Sequence, residues 1–340
     1  MSKIQVSIII PTYNRALRLT KALDSIVLQW NDLYELIVVD DGSTDNTKSI
    51  IEDYSKRIDI KYIYQDNSGK PASARNTGIK HAKGDYVCFL DSDDILAKGS
   101  IEKRRRFLSE HEDVAMIYGD WMDMFTDSSG ILLQQSPSWV VLEGFLDKIP
   151  GYFIEMGNDN LITFNPSIVN MIFTREFIVT SCVMVRKAVL DRVGYFDENF
   201  TISEDRDLWI RVCIDYYTAY IKDVLVYKYR HNDNITNTSV AFNYHQDCQC
   251  IEKLLMNSNI LNGPHKRIAQ MSLAEFYGKI GRYFWYRDDL TSAKLYLKKA
   301  MTYKPMRLST YVYGLFSCFP HNVTMRVKSF KRFLSRVIGT

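Results

Sequence analysis

The sequence predicts an α/β protein in which a mostly parallel sheet has helices on both faces and is followed by an α-helical C-terminal region. Along the first 120 residues, short apolar runs alternate with amphipathic segments of helical length, as in sheets built from strand–helix–strand units. The apolar runs are continuous rather than alternating, which is typical of strands buried on both faces. Beyond about Phe242 the spacing of apolar residues is helical.

Local signals define the individual elements. The first strand ends at Pro11, and the helix after it places Leu19, Leu23 and Ile26 on one face. A later helix begins with Pro71, because proline suits the first helical turn. The predicted strands are residues 6–10, 36–39, 60–64, 86–90, 114–118, 181–185 and 220–227, and the predicted helices are residues 15–29, 44–56, 71–82, 99–109 and 203–217.

Residues 120–180 show no regular pattern, because glycine and proline residues such as Gly130, Pro137, Gly144 and Pro166 interrupt them. Irregular segments carried on a regular scaffold often hold binding residues. We therefore expect this stretch to recognise a second substrate.

The C-terminal region contains a predicted helical hairpin of the tetratricopeptide type over about residues 274–305. Small residues at Gly281, Ala293 and Ala300 would let its two helices pack closely. A single hairpin of this kind cannot bury its own apolar face, so it must pack on other parts of the chain. The predicted domains are residues 1–240 and residues 241–340.

The composition is that of a globular protein, with 340 residues, of which 46% are hydrophobic and 24% charged. The six cysteines include no CxxC pair, which argues against a disulfide framework, and Cys248 and Cys250 lack the further ligands of a zinc site. The N-terminus lacks a signal-peptide pattern, and no apolar run approaches a membrane span. We therefore expect a cytoplasmic protein.

Charge is divided unevenly along the chain. Residues 251–340 contain 16 Lys and Arg against 4 Asp and Glu, whereas the first 250 residues carry a net negative charge. Residues 323–337 place apolar side chains on one helical face and basic ones opposite. Such a helix suits an anionic membrane surface, which predicts a peripheral protein on the inner face of the membrane; docking on the acidic body is the alternative. No fold typical of nucleic-acid binding accompanies the basic charge.

Two groups of aspartates follow predicted strands. Asp40 and Asp41 end one strand, and Asp91, Asp93 and Asp94 end another. Ligands of parallel sheets bind beyond the carboxyl ends of the strands, so the two groups would share one crevice. Crowded carboxylates suit Mg²⁺ or Mn²⁺ holding a phosphate-bearing substrate. The alternatives are a capping turn for the first group and a solvated turn for the second, to which Asp94 is expected to belong.

Five segments in order resemble the family 2 glycosyltransferases, which have the Rossmann-like GT-A fold. They are VSIIIPTYNR (6–15), VVDDGSTDNT (38–47), GKPASARNTGI (69–79), FLDSDD (89–94) and SEDRDLWIR (203–211), and the similarity extends from residue 5 to about residue 232. The resemblance implies a nucleotide-sugar donor, a divalent cation and inversion at the anomeric carbon. The lack of a GxGxxG segment argues against a nicotinamide-dependent dehydrogenase.

The resemblance places the donor site in the first four segments. Asp41 would hydrogen-bond the base, and the DXD pair Asp91 and Asp93 would lie near ribose, diphosphate and metal. Arg75 is included because a guanidinium can bind phosphate, with bracing of its loop as the alternative. The predicted donor-binding residues are Pro11, Thr12, Tyr13, Asp40, Asp41, Arg75, Asp91 and Ser92.

Metal binding is assigned to Asp93 and His231. The resemblance makes Asp93 the direct ligand and implies an Arg or His near position 231. His231 can be a further ligand or a diphosphate partner, with Arg230 competing for that role and a surface histidine as the alternative. Lys70 would either meet phosphate or stay solvated.

Catalysis is assigned to the fifth segment. Asp205 matches the general base, which takes the proton of the acceptor hydroxyl, and Glu204 would support it. Acids in the first turn of a helix capped by Ser203 would also be favoured without any catalytic role.

The leading hypothesis is an inverting, metal-dependent glycosyltransferase that uses a UDP-sugar donor and a glycan or lipid-linked acceptor in cell-surface polysaccharide synthesis. One alternative is a nucleotide-binding or partner-docking scaffold without transfer activity. Another is a nucleotidyltransferase, for which residues 11–18 make a poor phosphate-binding loop.

Overall fold

A computed structural model describes residues 3–126, 132–138, 168–231, 238–257, 260–261 and 263–303, together with the backbone of 153–155 and 161–164. The chain divides into two compact units, residues 1–237 and residues 238–340, close to the boundary predicted between residues 240 and 241. The predicted basic helix at 323–337 lies outside the described residues.

One sheet of 11 strands forms the framework of the first unit. The strands are β1 (Val6–Thr12), β2 (Tyr34–Asp40), β3 (Ile60–Tyr64), β4 (Tyr86–Phe89), β5 (Ile95–Leu96), β6 (Val114–Thr126), β7 (Leu132–Pro137), β8 (Phe153–Glu155), β9 (Leu161–Phe164), β10 (Met184–Arg186) and β11 (Tyr217–Arg230). The helices of this unit are α1 (Ala16–Val27), α2 (Thr47–Tyr54), α3 (Pro71–His81), α4 (Ser100–Glu110), α5 (Val169–Ile172), α6 (Lys187–Val193) and α7 (Glu204–Asp215).

The sheet is mixed, with the strand order β3-β2-β1-β4-β10-β6-β11-β9-β8. The first four of these strands are mutually parallel, and so are β6 and β11. Strand β10 lies antiparallel between β4 and β6. Strand β5 pairs with β11, and β7 pairs with β6, both antiparallel.

The predicted α/β class and element order are confirmed, and three details are corrected. The strand predicted at 181–185 is wrong in its first half, since Thr180–Cys182 forms a 3₁₀ turn whose hydroxyls bind site residues, and β10 begins at Met184. The stretch 120–180 is more regular than predicted, because β6 continues to Thr126 and pairs antiparallel with β7, a strand whose residues are mostly exposed. Strand β11 extends beyond 220–227 at both ends.

Strand β1 is the centre of the core, and all seven of its residues are buried. Helix α3 packs directly on it. This close approach depends on Gly78, because a Cβ at that position would overlap the side chain of Ile9. The residues that follow β1 and α3 are therefore held at fixed distances from each other.

Replacing Gly78 by Ala is expected to lower the free energy of unfolding by about 1–3 kcal/mol, because the added methyl group overpacks the α3–β1 contact. Urea denaturation followed by circular dichroism measures the change. Gly263→Ala is the control, since a Cβ there meets nothing within 4 Å. An unchanged midpoint for Gly78→Ala would contradict the packing described.

The second unit consists of helices in its described part: α8 (Val240–Met256), α9 (Gly263–Tyr286) and α10 (Leu290–Thr302). Helices α9 and α10 form a hairpin where one was predicted, although α9 begins earlier than residue 274. Gly281 allows the close packing, because its Cβ would lie 2.6 Å from Leu297 Cγ. Leu297, Trp285 and Ala293 form a buried apolar cluster in the hairpin. Among the described residues, no helix has both the length and the apolar character needed to cross a membrane.

Candidate functional site

The candidate site lies where the parallel strands β2, β1 and β4 end. Thr12 of β1 pairs with Asp40 of β2, and Ile9 of β1 pairs with Phe89 of β4. The segments that follow these strands therefore leave the same edge of the sheet, which is where ligands of parallel sheets bind. The two predicted aspartate groups are both at this edge.

The Asp40–Asp41 turn is extensively hydrogen-bonded. The Asp40 carboxylate is buried and accepts bonds from Tyr62 Oη (2.8 Å) and from the Ser43 amide (2.8 Å). The Asp41 carboxylate accepts bonds from Gln65 Nε2 (2.6 Å) and Ser68 Oγ (2.9 Å). Asp40 thus acts as the capping residue of its turn, while Asp41 is held rigidly at the sheet edge.

The loop after β1 is fixed to the same turn. The Asn14 side-chain oxygen accepts a hydrogen bond from the backbone amide of Thr44 (2.7 Å), and the backbone amide of Asn14 donates to Ser43 Oγ (2.9 Å). Thr12 is buried with Pro11 at the end of β1, whereas the Tyr13 ring is 45% exposed. The loop therefore forms one wall with the aspartate turn and presents the Tyr13 ring at its surface.

Asp93 is the centre of a compact ionic group. Its Oδ2 atom accepts bonds from Arg15 Nη1 (2.7 Å) and lies 2.9 Å from His231 Nε2. Burial raises the pKa of the Asp93 carboxyl, but the hydrogen bond to His231 and the charge of Arg15 outweigh burial and lower it. Asp93 is therefore an ionised carboxylate at neutral pH.

Strand β5 explains how His231 reaches Asp93 across 138 positions of sequence. Ile95 of β5 pairs antiparallel with Tyr227 of β11. The end of β11, which leads to His231, therefore runs back along the turn at residues 91–94, here called the DXD turn. Arg230, the alternative to His231, points to a different partner and forms an ion pair with Asp123 (2.7 Å).

Asp94 is a correction to the sequence prediction. Asp94 was predicted to be a capping or solvent-exposed residue of its turn, but it is only 2% exposed and accepts a hydrogen bond from Ser181 Oγ (2.7 Å). Burial, together with the charge of Asp93, raises the pKa of Asp94 to about 8. Ser181 Oγ also accepts a hydrogen bond from the backbone amide of Asp91 (3.1 Å). Ser92, between Asp91 and Asp93 in sequence, is buried, so the DXD turn is anchored inside the protein.

Arg75 connects the two halves of the site. Its Nη2 donates to Asp91 (2.6 Å) and its Nη1 donates to Glu204 (2.7 Å), and the guanidinium is almost fully buried over the ring of Phe196. In this arrangement the guanidinium braces two carboxylates, which was the alternative to phosphate binding. Arg75 therefore links the DXD turn to the start of α7.

Glu204 and Asp205 are the first residues of α7. Ser203 immediately before them has a φ of 70°, a left-handed conformation that costs energy in a residue other than glycine. Ser203 occupies the N-cap position of α7, as the non-catalytic alternative predicted, but its side chain makes no capping bond. Backbone strain at this position is consistent with a functional role for the carboxylates that follow.

Both carboxyl groups of this pair have raised pKa values. Burial and the neighbouring Asp205 raise the pKa of Glu204 to about 7, although Arg75 opposes them. Burial and the charge of Glu176 raise the pKa of Asp205, which is only half-buried and lies 3.3 Å from Thr180 Oγ1. Asp205 is thus a partly buried carboxyl whose pKa is raised above that of a free aspartate.

Two contributors were not predicted as site residues. Arg15 is visible in the sequence as the cation that ends the first segment, but its contact with Asp93 depends on the fold. Asn76 of α3 exchanges two hydrogen bonds with the backbone of Phe196 (2.9 and 3.0 Å) and so holds the loop before α7. Lys70 assists by donating to the carbonyl of Glu198 (2.7 Å).

The chemistry of Asp93 and His231 fits a divalent cation. A carboxylate oxygen suits Mn²⁺ or Mg²⁺, and an imidazole nitrogen favours the transition-metal ion Mn²⁺ over Mg²⁺. Within the described part of the chain, no group of three or more His, Cys, Asp or Glu side chains is placed to hold a metal. The remaining ligands would have to be substrate phosphates and water, as is common for Mg²⁺.

Comparison with known proteins decides the family. The model of glycosyl transferase family 2 matches residues 7–194, more than half of the chain. The chain belongs to this family. The match includes the first four resembling segments and ends before Glu204 and Asp205, so the family model itself does not cover the proposed base.

Relatives within family 2 match only part of the chain. An uncharacterized glycosyltransferase of Rickettsia felis is 42% identical over 107 residues, which are 32% of this chain and 18% of the relative. The poly(ribitol-phosphate) beta-N-acetylglucosaminyltransferase TarS of Staphylococcus aureus is 39% identical over 115 residues, which are 33% of this chain and 20% of TarS. The chain therefore matches a fifth or less of the length of these relatives.

Solved structures confirm the GT-A fold expected for family 2. Residues 1–349 of S. aureus TarS in complex with UDP-GlcNAc superpose with a TM-score of 0.63 at 19% identity, covering 96% of this chain and 92% of that one. The mannosyltransferase PcManGT of Pyrobaculum calidifontis, in complex with GDP-Man and Mn²⁺, gives a TM-score of 0.57 at 16% identity, covering 96% and 87%. At these identities the similarity concerns the fold alone.

Proposed function

We propose that the chain is an inverting, metal-dependent glycosyltransferase that moves a sugar from a nucleotide-diphosphate donor, expected to be a UDP-sugar, to a glycan or lipid-linked acceptor. The observation that carries this proposal is the convergence of three groups at one sheet edge. They are the rigid Asp41 turn, the Asp93–His231 pair, and the Glu204–Asp205 pair, which Arg75 links to the DXD turn. Cell-surface polysaccharide synthesis is the proposed setting.

The donor is proposed to bind along the ends of β1, β2 and β4. Asp41 would accept a hydrogen bond from the base, and the exposed Tyr13 ring would lie against the nucleotide. When bound, a divalent cation held by Asp93 and His231 would stabilise the negative charge that develops on the departing diphosphate. The complexes of TarS with UDP-GlcNAc and of PcManGT with GDP-Man and Mn²⁺ support a donor and a cation of these classes.

Asp205 is proposed to act as the general base. Its carboxylate would take the proton of the acceptor hydroxyl while the hydroxyl oxygen forms a bond to C1 and the C1–O bond to the diphosphate breaks. One displacement of this kind inverts the anomeric carbon. Glu204, held by Arg75, would keep the first turn of α7 in place.

The transfer rate is expected to rise with pH as Asp205 loses its proton, with an inflection above the pKa of a free aspartate. Only the deprotonated base can accept a proton, and burial and the charge of Glu176 raise the pKa of Asp205. Initial rates measured between pH 5 and pH 9 at saturating donor test this. Glu176→Gln should move the inflection to lower pH, because it removes a charge that raises this pKa, and a pH-independent rate would contradict the assignment.

Replacing Asp93 by Asn is expected to lower the transfer rate at least about 100-fold while the protein stays folded, because the amide keeps the shape but loses the charge that would hold the cation. Transfer or donor hydrolysis with Mn²⁺, and thermal unfolding, are the measurements. Asp53→Asn is the matched control, since Asp53 pairs with Lys56 at the same 2.7 Å but on the exposed surface. Turnover at the wild-type rate would remove Asp93 from the site.

A further inference from the structure

We infer that Arg15 competes with the divalent cation for Asp93, so that the protein's own guanidinium closes the cation site until a nucleotide diphosphate arrives. The inference rests on the proposed function, because it takes Asp93 as the ligand of the cation. It adds a role for Arg15, which contacts Asp93 and His231 and therefore belongs to the proposed donor site.

A single oxygen atom is the point of competition. Asp93 Oδ2 lies 2.7 Å from Arg15 Nη1 and 2.9 Å from His231 Nε2, and these two nitrogens are 3.1 Å apart. The three side chains are largely shielded from water, with exposed fractions of 15%, 16% and 6% for Asp93, Arg15 and His231. Both predicted metal ligands therefore face the guanidinium.

A cation and the guanidinium cannot both occupy this position. A Mg²⁺-type ion sits about 2.0–2.1 Å from its carboxylate oxygen, closer than the guanidinium nitrogen now lies. Two positive charges at such a distance repel each other, and the repulsion is stronger in a site shielded from water. Binding of the cation to Asp93 therefore requires Arg15 to move away.

A nucleotide diphosphate gives the displaced guanidinium a new partner. Arginine forms strong, often bidentate hydrogen bonds with phosphate, so the ion pair lost with Asp93 can be replaced by one with the donor. The exchange couples the two ligands: the nucleotide favours cation binding, and the cation favours nucleotide binding to the same extent. If Arg15 only braced the DXD turn, removing its guanidinium would weaken cation binding. If Arg15 competes with the cation, removing the guanidinium strengthens cation binding.

Mn²⁺ binding in the absence of nucleotide distinguishes the two roles. Electron paramagnetic resonance of free Mn²⁺ would be titrated against the wild type, Arg15→Gln, Arg15→Lys and Lys56→Gln. We expect Arg15→Gln to bind Mn²⁺ at least about tenfold more tightly than the wild type, and Arg15→Lys to remain close to the wild type because it keeps the charge. Lys56→Gln controls for net charge, since Lys56 also pairs with an aspartate at 2.7 Å, far more exposed.

Equal or weaker Mn²⁺ binding by Arg15→Gln, including no detectable binding by either protein, would overturn the inference. A second measurement covers the case in which this variant does not fold: UDP should raise the Mn²⁺ affinity of the wild type at least about tenfold. An affinity that UDP leaves unchanged would also overturn the inference. The proposed function is judged separately, by sugar transfer of the wild type at saturating Mn²⁺, so the two can fail independently.

Discussion

Replacing Asp205 by Asn is expected to lower kcat for sugar transfer by about 10²–10⁴-fold, while nucleotide affinity and folding stay close to the wild type. The amide cannot take the proton of the acceptor hydroxyl. Its Oδ1 can still accept the hydrogen bond from the Arg206 amide (2.7 Å), and its Nδ2 can donate to Thr180 Oγ1 (3.3 Å), so the first turn of α7 should be preserved. Steady-state release of nucleoside diphosphate gives kcat, and calorimetric titration with UDP gives the affinity.

Two further variants define which carboxylate acts as the base. Glu204→Gln keeps Asp205 and should retain more activity than Asp205→Asn. Asp191→Asn alters an aspartate that pairs with Lys187 on α6, outside the described site, and should behave as the wild type. A kcat of the wild-type order in Asp205→Asn, combined with a severe loss in Glu204→Gln, would transfer the role of base to Glu204.

Replacing Arg75 by Met is expected to lower the free energy of unfolding by about 3–5 kcal/mol, because it leaves the carboxylates of Asp91 and Glu204 without their shared counter-charge. The arginine side chain is 6% exposed and that of Glu204 8%, so water cannot replace the bond to Glu204, whereas Asp91 is 28% exposed. Urea denaturation monitored by circular dichroism gives the change. Arg75→Lys keeps one charge and should fall between the wild type and Arg75→Met.

The loss should depend on pH in a defined direction. The pKa of Glu204 in the folded protein, about 7, lies above its ordinary value of 4.5, so folding is favoured at low pH and this contribution is lost as pH rises through 7. Without Arg75, which lowers this pKa, the folded value should rise further. The stability difference between the wild type and Arg75→Met should therefore be larger at pH 8 than at pH 5. An equal stability of the two proteins at pH 8 would contradict the role of Arg75 in pairing with both carboxylates.

The sequence predicts the part of the site that follows from strand order. The groups Asp40–Asp41 and Asp91–Asp93 both come directly after apolar runs, and parallel strands end at one edge, so their shared location needs no tertiary information. The first strands and helices were predictable from the local sequence. Local apolar periodicity determines them, and burial of β1 on all sides agrees with its continuous apolar sequence.

The contacts that join distant segments could not be predicted. Arg75 and Glu204 are 129 positions apart, and no local pattern relates them. Asp94 was expected to be a capping or solvent-exposed residue of its turn, but the hydroxyl of Ser181, 87 positions away, makes its burial tolerable. The two-residue strand β5 is too short to show a period, yet its pairing with β11 brings His231 to Asp93.

The release of nucleoside diphosphate from a panel of UDP- and GDP-sugars with Mn²⁺ tests the central claim most directly. The wild type is expected to release a nucleoside diphosphate from at least one donor, with activity lost in Asp93→Asn and Asp205→Asn. Release of a sugar 1-phosphate instead would indicate nucleotidyl transfer. Release of neither product, or a rate that both variants share with the wild type, would contradict a glycosyltransferase site at this edge of the sheet.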